Sequence, residues 1–134
     1  MKCSPLKKQA AMHELAICHA LISQVEDIAG QRMARVLQVR VGIGPLSGIE
    51  PQLLESAYPL ACVGTRAEGS QLEIEHTDVR VRCRGCGAET KAAINRLVCG
   101  ACSDWHTDLL AGDELLLLRV ELETRQCEVE ALRV

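Results

Sequence analysis

Apolar residues early in the chain recur at the spacing of a helix. Between residues 15 and 29 they stand three or four apart, at Leu15, Cys18, Leu21, Ile22, Val25, Ile28 and Ala29. This stripe predicts a helix that begins at Met12-His13-Glu14 and ends at Gly30. A second helix is predicted to begin at Pro51, a residue suited to the first helical turn. Its inward-facing residues are predicted to be Leu53, Leu54, Ala57, Tyr58, Ala61 and Cys62.

Other segments alternate between apolar and polar residues, which is typical of half-buried strands. In residues 36–43 the alternation places Leu37, Val39, Val41 and Ile43 on the inner face. In residues 114–123 it places Leu116, Leu118, Val120 and Leu122 there. The strand at 72–75 is out of phase with Val79 and Val81, so a break or bulge is expected at 76–78.

The order of the predicted elements is helix, strand, helix, strand, insert, strand. It predicts an α+β fold in which two helices cover a small three-stranded sheet, with an inserted zinc-ribbon-like module. Residues 1–11 are predicted to be a flexible extension, residues 12–78 and 112–134 one α/β domain, and residues 79–111 the module. The basic segment 80–96 and the acidic segment 113–130 favour pairing between the last two strands.

Composition narrows the classes of function. The 134 residues carry a net charge of −3 and contain one Trp, one Tyr and no Phe, which argues against a nucleic-acid-binding surface. No apolar run has the length of a signal-peptide core or a membrane span, so the protein is predicted to be cytoplasmic, with no membrane partner. No nucleophile motif or phosphate-binding loop is present, and we expect a protein that is not an enzyme.

The cysteines carry the clearest chemistry. Cys83 and Cys86 form one C-x-x-C pair, and Cys99 and Cys102 form a second pair after twelve intervening residues. Two such pairs can bring four thiolates into the tetrahedron that structural Zn²⁺ favours. Disulfides, free thiols and iron, which takes the same ligands, are the alternatives.

Two histidines near this module need their own interpretation. His106 follows Cys102 by four residues, and His76 precedes the first pair. Each is either an exchangeable ligand or a residue at the surface or beside the ligands, and the second interpretation is favoured.

Several segments together resemble the HypA/HybF family of hydrogenase and urease nickel-incorporation proteins. They are "MHEL" at 12–15, "GIGPLSGIEPQLLESAY" at 42–58, "AEGSQLEIE" at 67–75, the two C-x-x-C pairs, and "GDELLLL" at 112–118. Their order and spacing make the resemblance specific, and it spans residues 12–123.

The resemblance implies a nickel metallochaperone with one structural Zn²⁺ and Ni²⁺ as its cargo. The implied nickel ligands are the His13 imidazole, backbone nitrogens of Met12, His13 and Glu14, and the Glu50 carboxylate. The implied partners are the GTPase HypB and the precursor of the [NiFe]-hydrogenase large subunit. The sequence leaves open whether the recipient is a hydrogenase or a urease, and whether the protein forms a homodimer.

Residues 1–11 raise a question about the nickel site, because only a terminal Met12 offers a free amine to the metal. Three alternatives remain: Met12 is the true start, the leader is removed, or nickel is bound differently through His13, Glu14 and Cys3. Two other functions also remain at this stage, a zinc-ribbon adaptor for protein or nucleic acid and an iron electron carrier.

Overall fold

The computed structural model describes the backbone of residues 4–123 and 126–134, and the side chains of residues 13–123 and 131–134. Two helices and seven strands follow one another within these ranges. In chain order they are α1 (Ser4–Arg32), β1 (Val36–Ile43), α2 (Pro51–Cys62), β2 (Gln71–His76), β3 (Val79–Cys83), β4 (Glu89–Ala92), β5 (Thr107–Ala111), β6 (Leu115–Leu122) and β7 (Gln126–Arg133). The predicted α+β class, with two helices and an inserted cysteine module, is confirmed.

The larger sheet has the strand order β2-β1-β6-β7. Strand β1 runs parallel to β2 and antiparallel to β6, and β7 pairs antiparallel with β6. The prediction of three strands therefore missed β7, whose pairing continues to the end of the chain, where the Val134 N–H donates to the Leu115 carbonyl at 3.1 Å. One core joins this sheet to the helices, and its fully buried side chains include Leu21, Val25, Leu54, Val39, Val41, Leu117 and Val120.

The inner face of β6 differs from the prediction. Leu115 and Leu117 are buried, whereas Leu116 and Leu118 are only partly buried. Opposite β1 the pairing shifts between Arg119 and Leu117, which leaves Leu118 as an extra residue. A β-bulge of this kind reverses the phase of the alternation along a strand, so the prediction holds only for the half of β6 beyond the bulge.

A similar irregularity changes the start of β1. The register shifts between Val36 and Gln38, so that Val36 is buried and Leu37 is 48% exposed. The prediction that Leu37 faces inward is wrong for this reason. Val39, Val41 and Ile43 are buried as predicted.

Strands β3, β4 and β5 form a second sheet with the order β4-β3-β5. The expected break at 76–78 is confirmed, since β2 belongs to the larger sheet and β3 to this one. The predicted pairing of the basic segment with the acidic last strand is wrong, because β3 pairs with β4 and β5 and β6 pairs with β1 and β7. Acidic residues of the second sheet itself form ion pairs with Arg82 and Arg84, as described below.

The two sheets are linked by two short segments that meet the loop after β1. The Thr77 N–H donates to the Ile43 carbonyl at 3.0 Å, and the Leu46 N–H donates to the Gly112 carbonyl at 2.7 Å. Gly112 has a φ of +117°, and a Cβ there would lie 2.9 Å from the Val79 Cα. Only glycine fits this crossing without displacing backbone.

Helix α1 begins earlier than the sequence pattern indicated. It starts at Ser4 and not at Met12, so Met12-His13-Glu14 lies inside the helix. Cys3 lies outside the described residues, and the predicted domain boundaries, including a flexible extension over 1–11, stay predictions. Within the described chain, neither helix has the length and hydropathy needed to span a membrane.

Candidate metal centres

The four predicted cysteine ligands converge at one end of the second sheet. Cys83 ends β3 and Cys86 follows in the turn to β4, while Cys99 and Cys102 lie in the loop before β5. Their four sulfurs all lie within 4.8 Å of one another. The structure thus brings together the full set that the spacing predicted.

The distances between sulfurs test which chemistry the cluster fits. The Sγ atoms of Cys83 and Cys102 are 3.6 Å apart, as are those of Cys86 and Cys99. A regular tetrahedron with Zn–S bonds of about 2.3 Å places its sulfurs about 3.8 Å apart, whereas a disulfide requires about 2.05 Å. The cluster therefore fits a structural Zn²⁺ bound by four thiolates and does not fit two disulfides.

The first cysteine of each pair is stabilised as a thiolate by its own turn. Backbone N–H groups of Cys86 and Gly85 point at the Cys83 sulfur, each at 3.3 Å, and lower the pKa of Cys83. In the second pair the N–H groups of Cys102 and Ala101 lower the pKa of Cys99 to about 6. The first thiol of each turn thus ionises more readily than an ordinary cysteine, and in the metal-free cluster Cys99 is largely a thiolate at neutral pH.

The second cysteine of each pair behaves in the opposite way. Backbone N–H groups, of Ala88 for Cys86 and of Asp104 for Cys102, act to lower both pKa values. The neighbouring sulfurs outweigh them, raising the pKa of Cys86 and bringing that of Cys102 to about 12. Four negative sulfurs at this distance repel one another, and a divalent cation removes that repulsion.

Hydrogen bonds hold the second turn in place. The Gly100 N–H donates to the Thr90 hydroxyl at 2.8 Å, and the Cys99 N–H donates to the Asp104 carbonyl at 2.8 Å. His106 places its Nδ1 2.8 Å from an Asp104 carboxylate oxygen and stacks on Trp105, with ring centroids 3.9 Å apart. His106 and His76 are exposed and lie outside the sulfur cluster, in keeping with a surface role.

The basic residues of this module are largely paired within it. Ion pairs join basic side chains to acidic side chains of the same sheet or of the segment just before it. They are Arg82 with Glu89 at 2.7 Å, Arg84 with Asp108 at 2.7 Å, and Lys91 with Asp78 at 3.2 Å. These pairs neutralise most of the local positive charge that favoured a nucleic-acid adaptor. The geometry therefore weakens that alternative.

The second candidate centre lies on the larger domain, where α1 meets the start of α2. His13 is exposed on α1, and the adjacent Glu14 is 2% exposed. A Glu14 carboxylate oxygen accepts a hydrogen bond from the Glu50 N–H at 2.9 Å. The structure thus joins Glu14 directly to Glu50. The side chain of Met12 is not among those that the structure describes.

Glu50 lies directly before the first residue of α2. It is the N-cap residue of α2, with φ −89° and ψ 114°, the extended conformation favoured before proline. Its side chain makes no cap hydrogen bond to the helix, and the residue is exposed. The Glu50 carboxylate is therefore accessible to a metal at this surface.

A cavity of about 260 Å³ lies beside His13. Its wall is formed by α1, the loop after β1, the start of β6 and the end of β7, through residues that include Ile17, Ile49, Leu115, Asp113, Glu114 and Arg133. Sequence reasoning missed Asp113 and Arg133 as neighbours of His13. Asp113 lay within the quoted "GDELLLL" segment, but no local signal placed β7, which carries Arg133, against α1.

The nickel ligands implied by the resemblance are not assembled as a set of side chains. Among the residues with described side chains, the four cysteines form the one group of three or more His, Cys, Asp or Glu whose ligand atoms approach within 4.8 Å. Only the first four N–H groups of a helix lack intrahelical acceptors. Because α1 begins at Ser4, the backbone N–H groups of Met12, His13 and Glu14 are not among them.

Comparison with known proteins supplies independent evidence on the family of this chain. The sequence model of the HypA family, described as hydrogenase/urease nickel incorporation, metallochaperone, matches residues 12–122. Hydrogenase maturation factor HypA of Nitrosospira multiformis is 48% identical over 114 residues, which are 84% of this chain and 99% of that protein. The corresponding factor of Aquifex aeolicus is 36% identical over 113 residues, which are 84% of this chain and 98% of that protein.

Solved structures agree with the sequence matches. The solution structure of the Ni metallochaperone HypA from Helicobacter pylori superposes with a TM-score of 0.65 at 27% identity, and the match covers 81% of this chain and 96% of that one. A second solution structure, titled HypA protein, gives a TM-score of 0.67 at 28% identity over 83% of this chain and 96% of that one.

Proposed function

The chain belongs to the HypA family of nickel metallochaperones, and from that premise we propose that it binds Ni²⁺ at its Met-His-Glu motif and delivers it during hydrogenase maturation. The observation that carries the proposal is the family match over residues 12–122, which begins at the motif itself. The family's nickel and zinc chemistry agrees with the two centres described above. The protein is a carrier in this proposal, and the predicted absence of catalysis is part of it.

The zinc centre has a structural role in this proposal. Cys83, Cys86, Cys99 and Cys102 would hold Zn²⁺ with no coordination position left for a substrate. The bound ion would supply folding energy to the second sheet, because metal affinity becomes stability when the site exists only in the folded state.

The nickel centre is proposed to use the His13 imidazole, the Glu50 carboxylate and backbone nitrogens of residues 12–14. Ni²⁺ accepts such nitrogen and oxygen donors in square-planar or tetragonal geometry. In a helix that begins at Ser4, the N–H groups of His13 and Glu14 face the carbonyls of the preceding turn. In a chain that begins at Met12, the same groups and the terminal amine are free for the metal.

Transfer requires partners, and the proposal names two. HypB would supply GTP hydrolysis, and the [NiFe]-hydrogenase large-subunit precursor would receive the metal. The names of the relatives, hydrogenase maturation factors, support a hydrogenase recipient. A homodimer and a cytoplasmic location stay predictions, and a urease recipient stays an open alternative.

Nickel titration of two chain lengths tests the proposal. The full chain and a chain shortened to begin at Met12 are compared, each with His13→Ala and with His19→Ala, an exposed histidine of the same helix, as the matched control. We expect tighter binding by the shortened chain, a loss of at least about tenfold, or about 1.4 kcal/mol, for His13→Ala, and no change for His19→Ala. Full affinity in the shortened His13→Ala variant would contradict the nickel site.

A further inference from the structure

The Glu14 carboxylate faces into the protein, towards the start of α2. Glu14 is 2% exposed, and one carboxylate oxygen accepts the Glu50 N–H at 2.9 Å. Among the described residues the other oxygen, Oε1, is buried without a hydrogen-bond partner. A ligand for an incoming hydrated cation must reach the surface, so this side chain is badly placed to bind one.

The start of α2 needs what Glu14 provides. Pro51 occupies the first turn and has no N–H, and the side chain of the N-cap residue Glu50 makes no cap hydrogen bond. The N-terminal end of a helix carries partial positive charge and unpaired N–H groups, both of which favour a nearby carboxylate. Glu14 supplies this carboxylate from another helix, and so ties α1 to the N-cap residue Glu50.

The same contact orients His13. Consecutive residues of an α-helix point about 100° apart, so fixing Glu14 against α2 directs His13 to a neighbouring face. His13 is indeed exposed there and borders the cavity described above. One buried carboxylate thus sets the direction of the imidazole and the position of the residue that would share its metal.

We propose that the Glu14 side chain is a positioning residue of the nickel centre and not a nickel ligand: its carboxylate joins α1 to the N-cap of α2 and holds Glu50 near His13. The inference rests on the proposed nickel function and refines it. It concerns the side chain alone and leaves the Glu14 backbone nitrogen as a proposed ligand.

Two substitutions separate positioning from ligation. Glu14→Gln keeps an oxygen that can accept the Glu50 N–H but replaces the carboxylate by a neutral amide, which is a poor Ni²⁺ ligand. Glu14→Ala removes the acceptor. In the chain that begins at Met12 we expect nickel affinity within about threefold of the parent for Glu14→Gln and a loss of at least about tenfold for Glu14→Ala. Equal losses for Gln and Ala, or none for Ala, would overturn the inference.

A double-mutant cycle supplies a second readout. Because Glu14 is proposed to act through Glu50, adding Glu14→Ala to Glu50→Ala should cost much less affinity than Glu14→Ala costs alone. Full additivity would count against positioning. Helical circular dichroism and zinc content identify any variant that fails to fold. If Glu14→Ala fails to fold, the nickel affinity of Glu14→Gln alone decides between positioning and ligation.

The His13→Ala variant keeps the two proposals distinguishable. A loss for His13→Ala together with equal losses for Glu14→Gln and Glu14→Ala rejects positioning and retains the nickel site. Unchanged binding by His13→Ala rejects the nickel site, and the role of Glu14 falls with it. The nickel d–d absorption band of Glu14→Gln should lie at the same wavelength as that of the parent. A shift of this band would indicate that a carboxylate ligand has been lost.

Discussion

The larger domain and the cysteine module are held together by different means. In the larger domain two helices and four strands bury a continuous cluster of Leu, Val, Ile and Ala side chains. In the module the buried side chains are those of Val79, Val81, Cys83 and Cys99, while Ile94, Trp105 and Leu109 are exposed. A sheet this small buries too little apolar surface to be stable alone, and a metal can replace the missing core.

The comparison also separates what each region can do. A closed tetrathiolate leaves its ion no open coordination position, and the N–H groups of its two turns donate to the Cys83 and Cys99 sulfurs. The nickel end has no such preassembled set among the described side chains. A carrier must release its cargo, and ligands gathered at an exposed helix face suit release better than a closed cage.

Removing the metal should have the largest effect and should divide the two regions. We expect a strong chelator, or Cys99→Ser, to unfold the module while the larger domain stays folded, because the module's stability depends on the four thiolates. Trp105 is the only Trp and lies in the module, whereas Tyr58 is the only Tyr and is buried in the larger domain. Fluorescence of Trp105 and near-ultraviolet circular dichroism of Tyr58 therefore report each region separately.

Two results would test this division. Returning Zn²⁺ to the chelated protein should restore the Trp105 signal. An unchanged Trp105 signal in protein shown to be metal-free would mean that the module has a sufficient core of its own.

A substitution in the core of the larger domain should destabilise that domain and leave the module intact. Its effect should be smaller than that of removing the metal. Leu117→Ala removes a fully buried side chain and should lower the free energy of unfolding by about 2–5 kcal/mol, with zinc content unchanged. Leu116→Ala, at the neighbouring and only partly buried position, should cost less. Chemical denaturation monitored at Tyr58 measures both, and a larger loss for Leu116→Ala would contradict the bulge in β6.

Proton release on zinc binding should be the smallest effect and concerns the module alone. The pKa of about 6 leaves Cys99 largely ionised at pH 7.5, whereas raised pKa values keep Cys86 and Cys102 protonated there. Zinc should then displace fewer than four protons at pH 7.5 and more as the pH falls through 6, where Cys99 becomes protonated, so zinc affinity weakens on acidification.

Titration calorimetry in buffers of different ionisation enthalpy counts these protons. A count of four at pH 7.5 would show that the backbone N–H groups do not preform a thiolate at Cys99. Titration of zinc into nickel-free protein that already holds zinc provides the calorimetric baseline.

Several features could be read from the chain because they depend on neighbours in sequence. The stripe from Leu15 to Ala29 predicted the body of α1, and Pro51 predicted the start of α2. The two C-x-x-C turns predicted the sulfur cluster, since each turn by itself aims two sulfurs at one point. The family resemblance, carried by motifs in order, was confirmed by the match over 12–122.

Other features were decided by contacts between distant segments. The bulge at Leu118 depends on pairing with β1 and reverses which leucines are buried; no pattern within β6 contains that information. The pairing partners of β3 are β4 and β5, and the net charge along the chain wrongly indicated the acidic last strand instead.

By itself the sequence determined the bodies of the two helices, the segments that form β1, β2 and β6, and the four sulfur ligands, because these follow from local backbone preferences and short spacings. Only the tertiary structure decided that Glu14, beside the proposed nickel ligand His13, is buried against Glu50, 36 residues further along the chain. The reason is physical: the free energy of a carboxylate depends on which helix end or solvent surrounds it, and residues far away in sequence set those surroundings.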